Sequence, residues 1–231
     1  MTREFSENNN HKSEFFEGSI KKIIIESEVF ESPHPECDLV KKQRLTMHLY
    51  DKASLTTYYF PSESQKLKIM KRYRFKYTDK LMYYIAEYFR KPYSFDNNSQ
   101  HGCWNIQLTN ENDEKWAFSG PLGEQLFVYD FELSNLTRKT LVLPFLLMFD
   151  GKGNDVVLLS STKNYNIYVD REFTSSDNDI GLPYYYVEVK STNNYYICDL
   201  DFTRAYHRYT YDHLMTEQEL ERIIQNYTEF D

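Results

Sequence analysis

Apolar and polar residues alternate along Cys103-Trp104-Asn105-Ile106-Gln107-Leu108-Thr109, break at Asn110-Glu111-Asn112-Asp113, and alternate again from Lys115 to Gly120. Successive side chains on an extended chain point to opposite sides, so this pattern predicts two antiparallel strands with one buried face. Trp104, Ile106, Leu108, Trp116 and Phe118 fall on that face, and both tryptophans of the chain are expected inside it.

The same alternation predicts strands over Ile20 to Phe30, over Arg44 to Tyr50 and Leu55 to Phe60 (a hairpin turning at Asp51-Lys52-Ala53), and over Leu67 to Tyr77. Four more are expected at Asp155 to Ser160, Asn166 to Phe173, Tyr184 to Lys190 and Tyr195 to Phe202. The last two are joined by the turn residues Ser191-Thr192-Asn193-Asn194. Helical spacing intervenes three times. Leu81, Ile85 and Phe89 mark a helix capped by Thr78, stopping near Lys91 because Pro92 disfavours helical geometry in the residue before it. Ser134 is the expected N-cap of a second helix over Asn135 to Val142, again ended ahead of a proline, Pro144. Thr216 and Glu219 form a capping box for a third, with Leu220, Ile223, Ile224 and Tyr227 as its apolar stripe.

These elements predict an α+β protein of mostly antiparallel, twisted sheets with about three helices packed on them. The polar residues 1–17 read as a disordered tail. The rest parts near Gly151 into an N-terminal α+β half over residues 18–151 and a C-terminal half over 152–231, or forms one continuous domain. A hairpin, an irregular stretch and a helix follow one another over 103–142 and again over 184–229, which predicts two similar halves.

Composition narrows the class. At 231 residues the chain can bury a core without covalent staples. Its net charge of −8 speaks against a protein built as a whole to coat nucleic acid, and fits a cytoplasmic protein or one that meets a basic partner. Cys37, Cys103 and Cys198 lie far apart and are odd in number, so they predict small buried hydrophobes in a reducing compartment. The longest apolar stretch, Leu141 to Phe149, is broken by Pro144 and falls well short of the ~20 residues of a membrane span. Met1 to Ser13 lacks the apolar core of a signal peptide. The 21 tyrosines and 16 phenylalanines read as strand composition or, more sharply, as an adhesive binding face.

Three constellations carry candidate chemistry. In Tyr186-Val187-Glu188-Val189-Lys190, an acid and a lysine two apart on one strand match the spacing of Mg²⁺-dependent PD-(D/E)xK nucleases. There the acid helps bind the metal and the lysine orients the attacking water. Asp179 would complete that site, with Asp170 and Asp177 also available. The simpler reading makes Glu188 and Lys190 the wet face of a hairpin strand. In Lys66 to Tyr77, strict alternation would send Lys66, Lys68, Arg72, Arg74 and Lys76 to one face. That row suits a nucleic acid, another anion or an acidic partner, or else the solvated edge of a sheet. His207 and His213 lie near Asp201 and Asp212, and a polar loop accounts for them.

Trp-x-Ile-x-Leu from Trp104, a polar turn, and Trp-x-Phe-Ser-Gly-Pro-Leu from Trp116 are followed by Glu132-Leu133-Ser134-Asn135-Leu136-Thr137-Arg138-Lys139-Thr140-Leu141 and by Met148-Phe149-Asp150-Gly151. This succession resembles a family of uncharacterised bacterial cytoplasmic proteins with a Phe-x-Gly-x-Leu segment, a Leu-Ser-x-Leu-x-Arg helix and a Phe-Asp-Gly turn. The opening strands and Tyr168-Val169-Asp170-Arg171-Glu172 look similar too, so the likeness covers most of the chain. Pro121 and the insertion Phe127-Val128-Tyr129 depart from the pattern. The family has no assigned activity, so the resemblance implies a fold and a cytoplasmic setting but no functional residue, and it weakens the nuclease reading.

The expectation is therefore an intracellular, non-catalytic protein-interaction module with no cofactor and another protein as partner, such as an immunity, antitoxin or phage-defence accessory protein. A Mg²⁺-dependent nuclease using Asp179, Glu188 and Lys190, or a nucleic-acid or anion binder using Lys68, Arg72, Arg74 and Lys76, are the alternatives.

Overall fold

The computed structural model describes residues 15–30, 41–59, 68–93, 101–151, 153, 156–174, 183–198, 202–203, 205–206 and 216–227. The chain is α+β; among the described residues it has three helices and antiparallel sheets of six, four and two strands. Among the described residues no helix is long and apolar enough to cross a membrane.

The large sheet contains β1 (Ile20–Val29), β2 (Lys42–His48), β3 (Ala53–Tyr59), β4 (Lys68–Phe75), β5 (Gly102–Asn110) and β6 (Lys115–Pro121), in the order β4-β3-β2-β1-β5-β6. Its registers follow from the alternation. Ile23 lies opposite Met47 and Leu108, and Ile25 opposite Leu45 and Ile106, so one face becomes a continuous apolar layer. Each such side chain contributes about 1.5–3 kcal/mol by leaving water. The other face carries the polar residues, with Glu26 bridging Lys42 at 3.4 Å and Arg44 at 3.3 Å.

The tryptophan hairpin forms as predicted: Trp104 faces Gly120, Ile106 faces Phe118 and Leu108 faces Trp116. Both indoles are buried. A Cβ on Gly120 would lie 2.3 Å from the Trp104 ring, so this position needs glycine for close approach rather than for a special backbone angle. Asn110 closes the turn, its side-chain oxygen accepting from the backbone N–H groups of Asn112 and Glu114 at 2.9 and 3.0 Å.

The helix α1 (Asp79–Tyr88) lays Leu81, Met82, Ile85 and Ala86 on the apolar layer. Thr78 precedes it, but its side chain makes no capping bond, and Asp79 supplies the first-turn acid instead. Phe16, expected in the tail, belongs to the core: its ring meets Trp116 edge-on at 5.0 Å and its N–H donates to the Phe89 carbonyl at 2.7 Å. A two-stranded hairpin, β7 (Phe127–Val128) and β8 (Phe131–Glu132), leads into α2 (Leu133–Leu141). The cap of α2 is Glu132, not Ser134: its carboxylate accepts from the N–H groups of Ser134 and Asn135 at 3.1 and 2.9 Å. The apolar run after α2 is a buried loop stitched to the sheet. Ser27 Oγ donates to the Met148 carbonyl at 2.7 Å, and Gln43 accepts from Leu147 N–H at 2.7 Å while donating to the Phe145 carbonyl. The loop ends at Gly151, whose φ of +74° suits a residue without a side chain.

The second sheet is a meander of β9 (Val156–Ser161), β10 (Tyr165–Thr174), β11 (Pro183–Val189) and β12 (Asn194–Ile197), in the order β12-β11-β10-β9. The expected strand from Tyr195 stops at Ile197, and Phe202 sits in a short helical turn. Ile167, Val169, Tyr185 and Val187 face that turn and α3 (Glu217–Tyr227), which contributes Leu220, Ile223 and Ile224. The predicted capping box is present: Thr216 N–H donates to Glu219 at 2.8 Å and Glu219 N–H to Thr216 Oγ1 at 3.3 Å.

Candidate functional site

On the opposite face of the second sheet Asp170, Tyr186, Glu188 and Tyr195 are buried and Tyr168 is half-buried. This face packs toward α2 and β4, and two buried polar clusters form there.

The first centres on Arg138. Within α2 the buried positions are Leu133, Ser134, Thr137, Arg138 and Leu141, so helical spacing carries the guanidinium into the interior. It donates to Asp150 in the Phe-Asp-Gly turn and to Asp170 on β10, both at 2.9 Å, and to the Leu146 carbonyl at 3.1 Å. Burial alone would lower the Arg138 pKa, but the two carboxylates outweigh it and hold it above its ordinary value. The Tyr186 hydroxyl also hydrogen-bonds Arg138, and burial pushes that phenol up. The cluster bolts helix, turn and second sheet together. Removing one partner from such a group costs about 3–5 kcal/mol, because it strands a buried charge. One charged residue from each of three separate sequence motifs, Arg138, Asp150 and Asp170, thus meets at one point.

The second cluster surrounds Glu188. Its side chain is not the wet face of a strand: the residue is only 6% exposed. Its carboxylate accepts from Tyr168 OH at 2.7 Å and Asn166 Nδ2 at 2.9 Å. Tyr168 hydrogen-bonds onward to Tyr195, and Tyr195 to Tyr73 on β4, a phenol chain between the two sheets. Burial is the largest cause holding all three phenols above their ordinary pKa. Lys190 lies past the end of β11, is exposed, and donates to Ser161 Oγ at 2.8 Å and to the Thr162 carbonyl. Glu188 and Lys190 therefore hold different partners. Asp170, the upstream acid within the described residues, is engaged by Arg138. Among the described residues no group of three acids, histidines or cysteines is placed to hold a metal. Asp177, Asp179, Asp201, His207, Asp212 and His213 lie outside the described residues, as do Cys37, Lys66 and Lys152. Cys198 is buried and Cys103 half-buried, both as free thiols.

The basic strand β4 is the edge of the large sheet. Arg72 and Arg74 lie opposite Thr56 and Ser54 and are exposed, as is Lys76 just beyond the strand. A register shift separates Thr57, opposite Lys71, from Tyr58, opposite Ile69. Lys68 lies opposite Tyr59, so the backbone alternation that would align it with Arg72 and Arg74 is interrupted. Between β4 and the β11–β12 turn runs a cleft of about 460 Å³, with Arg72, Tyr73, Arg74 and Tyr195 among its walls.

A separate exposed surface lies over α1 and the β7–β8 hairpin. Tyr84 is ringed by Tyr83 at 5.9 Å, Phe131 at 5.4 Å and Tyr129 at 6.5 Å between ring centres, and Lys80 Nζ sits 5.9 Å from its own ring centre. Tyr129 occupies the hairpin tip with φ +52° and is 66% exposed; Phe127, Phe131 and Tyr83 are exposed beside it. The charge of the nearby Glu87 holds the Tyr129 phenol above its ordinary pKa. The aromatic surplus pointed to such a face, but sequence reasoning did not locate it. The signal was the spacing Phe127-x-Tyr129-x-Phe131 around a turn.

Comparison with protein-family models, with curated proteins and with solved structures finds no match to this chain.

Proposed function

We propose that this protein is an intracellular, non-catalytic protein-interaction module, in the class that includes immunity, antitoxin and phage-defence accessory proteins, and that it meets its partner through the aromatic face of α1 and the β7–β8 hairpin. The observation that carries the reading is the group of three exposed aromatic side chains, Tyr83, Tyr129 and Phe131, packed against the half-buried ring of Tyr84. Contiguous apolar patches mark interaction sites, and aromatic anchors supply most of the binding energy at such interfaces. Rings already held against one another lose little further freedom on binding. The polar clusters at Arg138 and Glu188 support the same reading, since the guanidinium is engaged by Asp150 and Asp170 and the Glu188 carboxylate by Tyr168 and Asn166 inside the protein.

The test is affinity capture from the source cells with the wild-type chain and with a Tyr83→Ser/Tyr129→Ser variant. A protein held by the wild type and depleted at least about tenfold on the variant is the expected result, the order of one lost hot spot. Equal recovery on both baits would remove this face from the proposal. Cleavage of DNA or RNA in Mg²⁺ that Glu188→Ala abolishes would replace the reading with an enzymatic one.

A further inference from the structure

Going beyond the aromatic face, we propose that the cleft between β4 and the β11–β12 turn takes an extended acidic peptide segment of a partner protein, with carboxylates at alternate positions held by Arg72 and Arg74. The chain carries a net charge of −8, yet among the described residues this cleft of about 460 Å³ is lined by two arginines and by no Asp or Glu. Its size lies within the range of pockets that enclose a ligand. No ion pair joins Arg72 or Arg74 to another described residue. An edge strand with two guanidinium groups that no described residue pairs, set beside a cleft, offers its charge to something outside the protein.

The spacing selects the occupant. Arg72 and Arg74 are two residues apart on a strand, so they repeat at about 6.6 Å along it. A second extended chain running beside β4 has the same rise, and its residues i and i+2 present side chains at the same interval. Guanidinium groups bind carboxylates through paired, charge-assisted hydrogen bonds, which rewards that match. The wall beneath is firm: Tyr73, Phe145 and Tyr195 pack at 5.5–6.4 Å between ring centres. A short acidic segment feels chiefly the local arginines, whereas a long polyanion such as single-stranded DNA meets the repulsion of the whole acidic molecule.

The experiment selects a displayed library of random heptapeptides on the full chain, then measures the leading peptide, dye-labelled, by fluorescence anisotropy. The expected result is enrichment of peptides with two Asp or Glu at i and i+2. Binding should weaken about tenfold or more in Arg72→Glu and in Arg74→Glu, the order for one lost charge-assisted contact, and should fall with added salt. Both side chains are exposed, and circular dichroism verifies that the variants fold. Enrichment without paired acids, acidic peptides whose affinity ignores both charge reversals, or tighter binding of an oligo-dT strand than of any selected peptide would each overturn the proposal. The aromatic-face variant Tyr83→Ser/Tyr129→Ser should bind the peptide like wild type, which separates this site from that one.

Discussion

The Trp104 core and the Arg138 junction are built by different means. Around Trp104, buried rings and aliphatic chains fill a layer between the large sheet and α1, with Phe89 at 6.0 Å and Phe149 at 5.4 Å from the indole. Around Arg138, the second sheet meets the first part of the molecule through one cation, two carboxylates and a phenol chain. Dispersion and the hydrophobic effect tolerate small geometric error, so the first region is robust in kind. The second depends on every partner being present, since an unpaired buried charge costs more than the pair contributes. The lesson is that one strand alternation can bury either chemistry, and the packing partner decides which.

The sharpest way to break this contrast is Arg138→Ala. It leaves Asp150 and Asp170 buried without their cation and should cost about 3–5 kcal/mol in urea unfolding. Arg138→Met combined with Asp150→Asn and Asp170→Asn should recover part of that loss, because no charge then stays buried. No recovery would mean that the junction relies on the ionic geometry itself.

Alkaline titration probes the phenols at the same junction and on the far face of the second sheet. Burial pushes Tyr185 from its ordinary 10 up to about 12, and holds Tyr186 and Tyr195 above their ordinary values as well. A folded-state pKa above the unfolded one means that the contribution is intact below pH 10 and is lost as the pH rises toward about 12. Each protected phenol steepens that loss by up to about 1.4 kcal/mol per pH unit. The share of phenolate absorbance that belongs to these buried tyrosines should therefore appear together with loss of far-ultraviolet circular dichroism, not ahead of it.

Gly120→Ala tests the apolar region. The added Cβ meets the Trp104 ring and the Tyr93 hydroxyl, and overpacking of this kind costs about 1–3 kcal/mol, readable as a lower Tm and altered tryptophan fluorescence. The smallest effect is expected at Thr216→Ala. It removes one side of the α3 capping box and should cost about 1 kcal/mol without moving the fluorescence of either tryptophan.

Much of the fold was legible locally. The register of the tryptophan hairpin, the helical stripe Leu220, Ile223 and Ile224, and the reciprocal bonds of Thr216 and Glu219 depend on residues close in sequence. The cap of the second helix was misread because Ser134 has a favoured residue type, while Glu132, two positions earlier, makes the bonds; Thr78 does hold the N-cap position of the first helix, without a side-chain bond. The candidate sites were less legible. Arg72 and Arg74 were visible as a basic row, but the cleft beside them also needs Tyr195, more than a hundred positions away. The aromatic face joins Tyr83 to Tyr129 through Tyr84, across a shorter gap that the fold also has to close.

Alternation, helical spacing and local capping chemistry thus determined strand, helix and which side chains share a face, because each is settled within a few residues by backbone geometry. The identity of that face, wet or buried, was decided only in three dimensions. Glu188 was expected on the wet face of a hairpin strand, and nothing in the local sequence marked Asp170 or Arg138 as buried. They are interior because the second sheet has a partner on both sides. Burial is a property of what packs against an element, and a polar side chain pays its desolvation only where distant residues supply the matching charge or hydrogen bond.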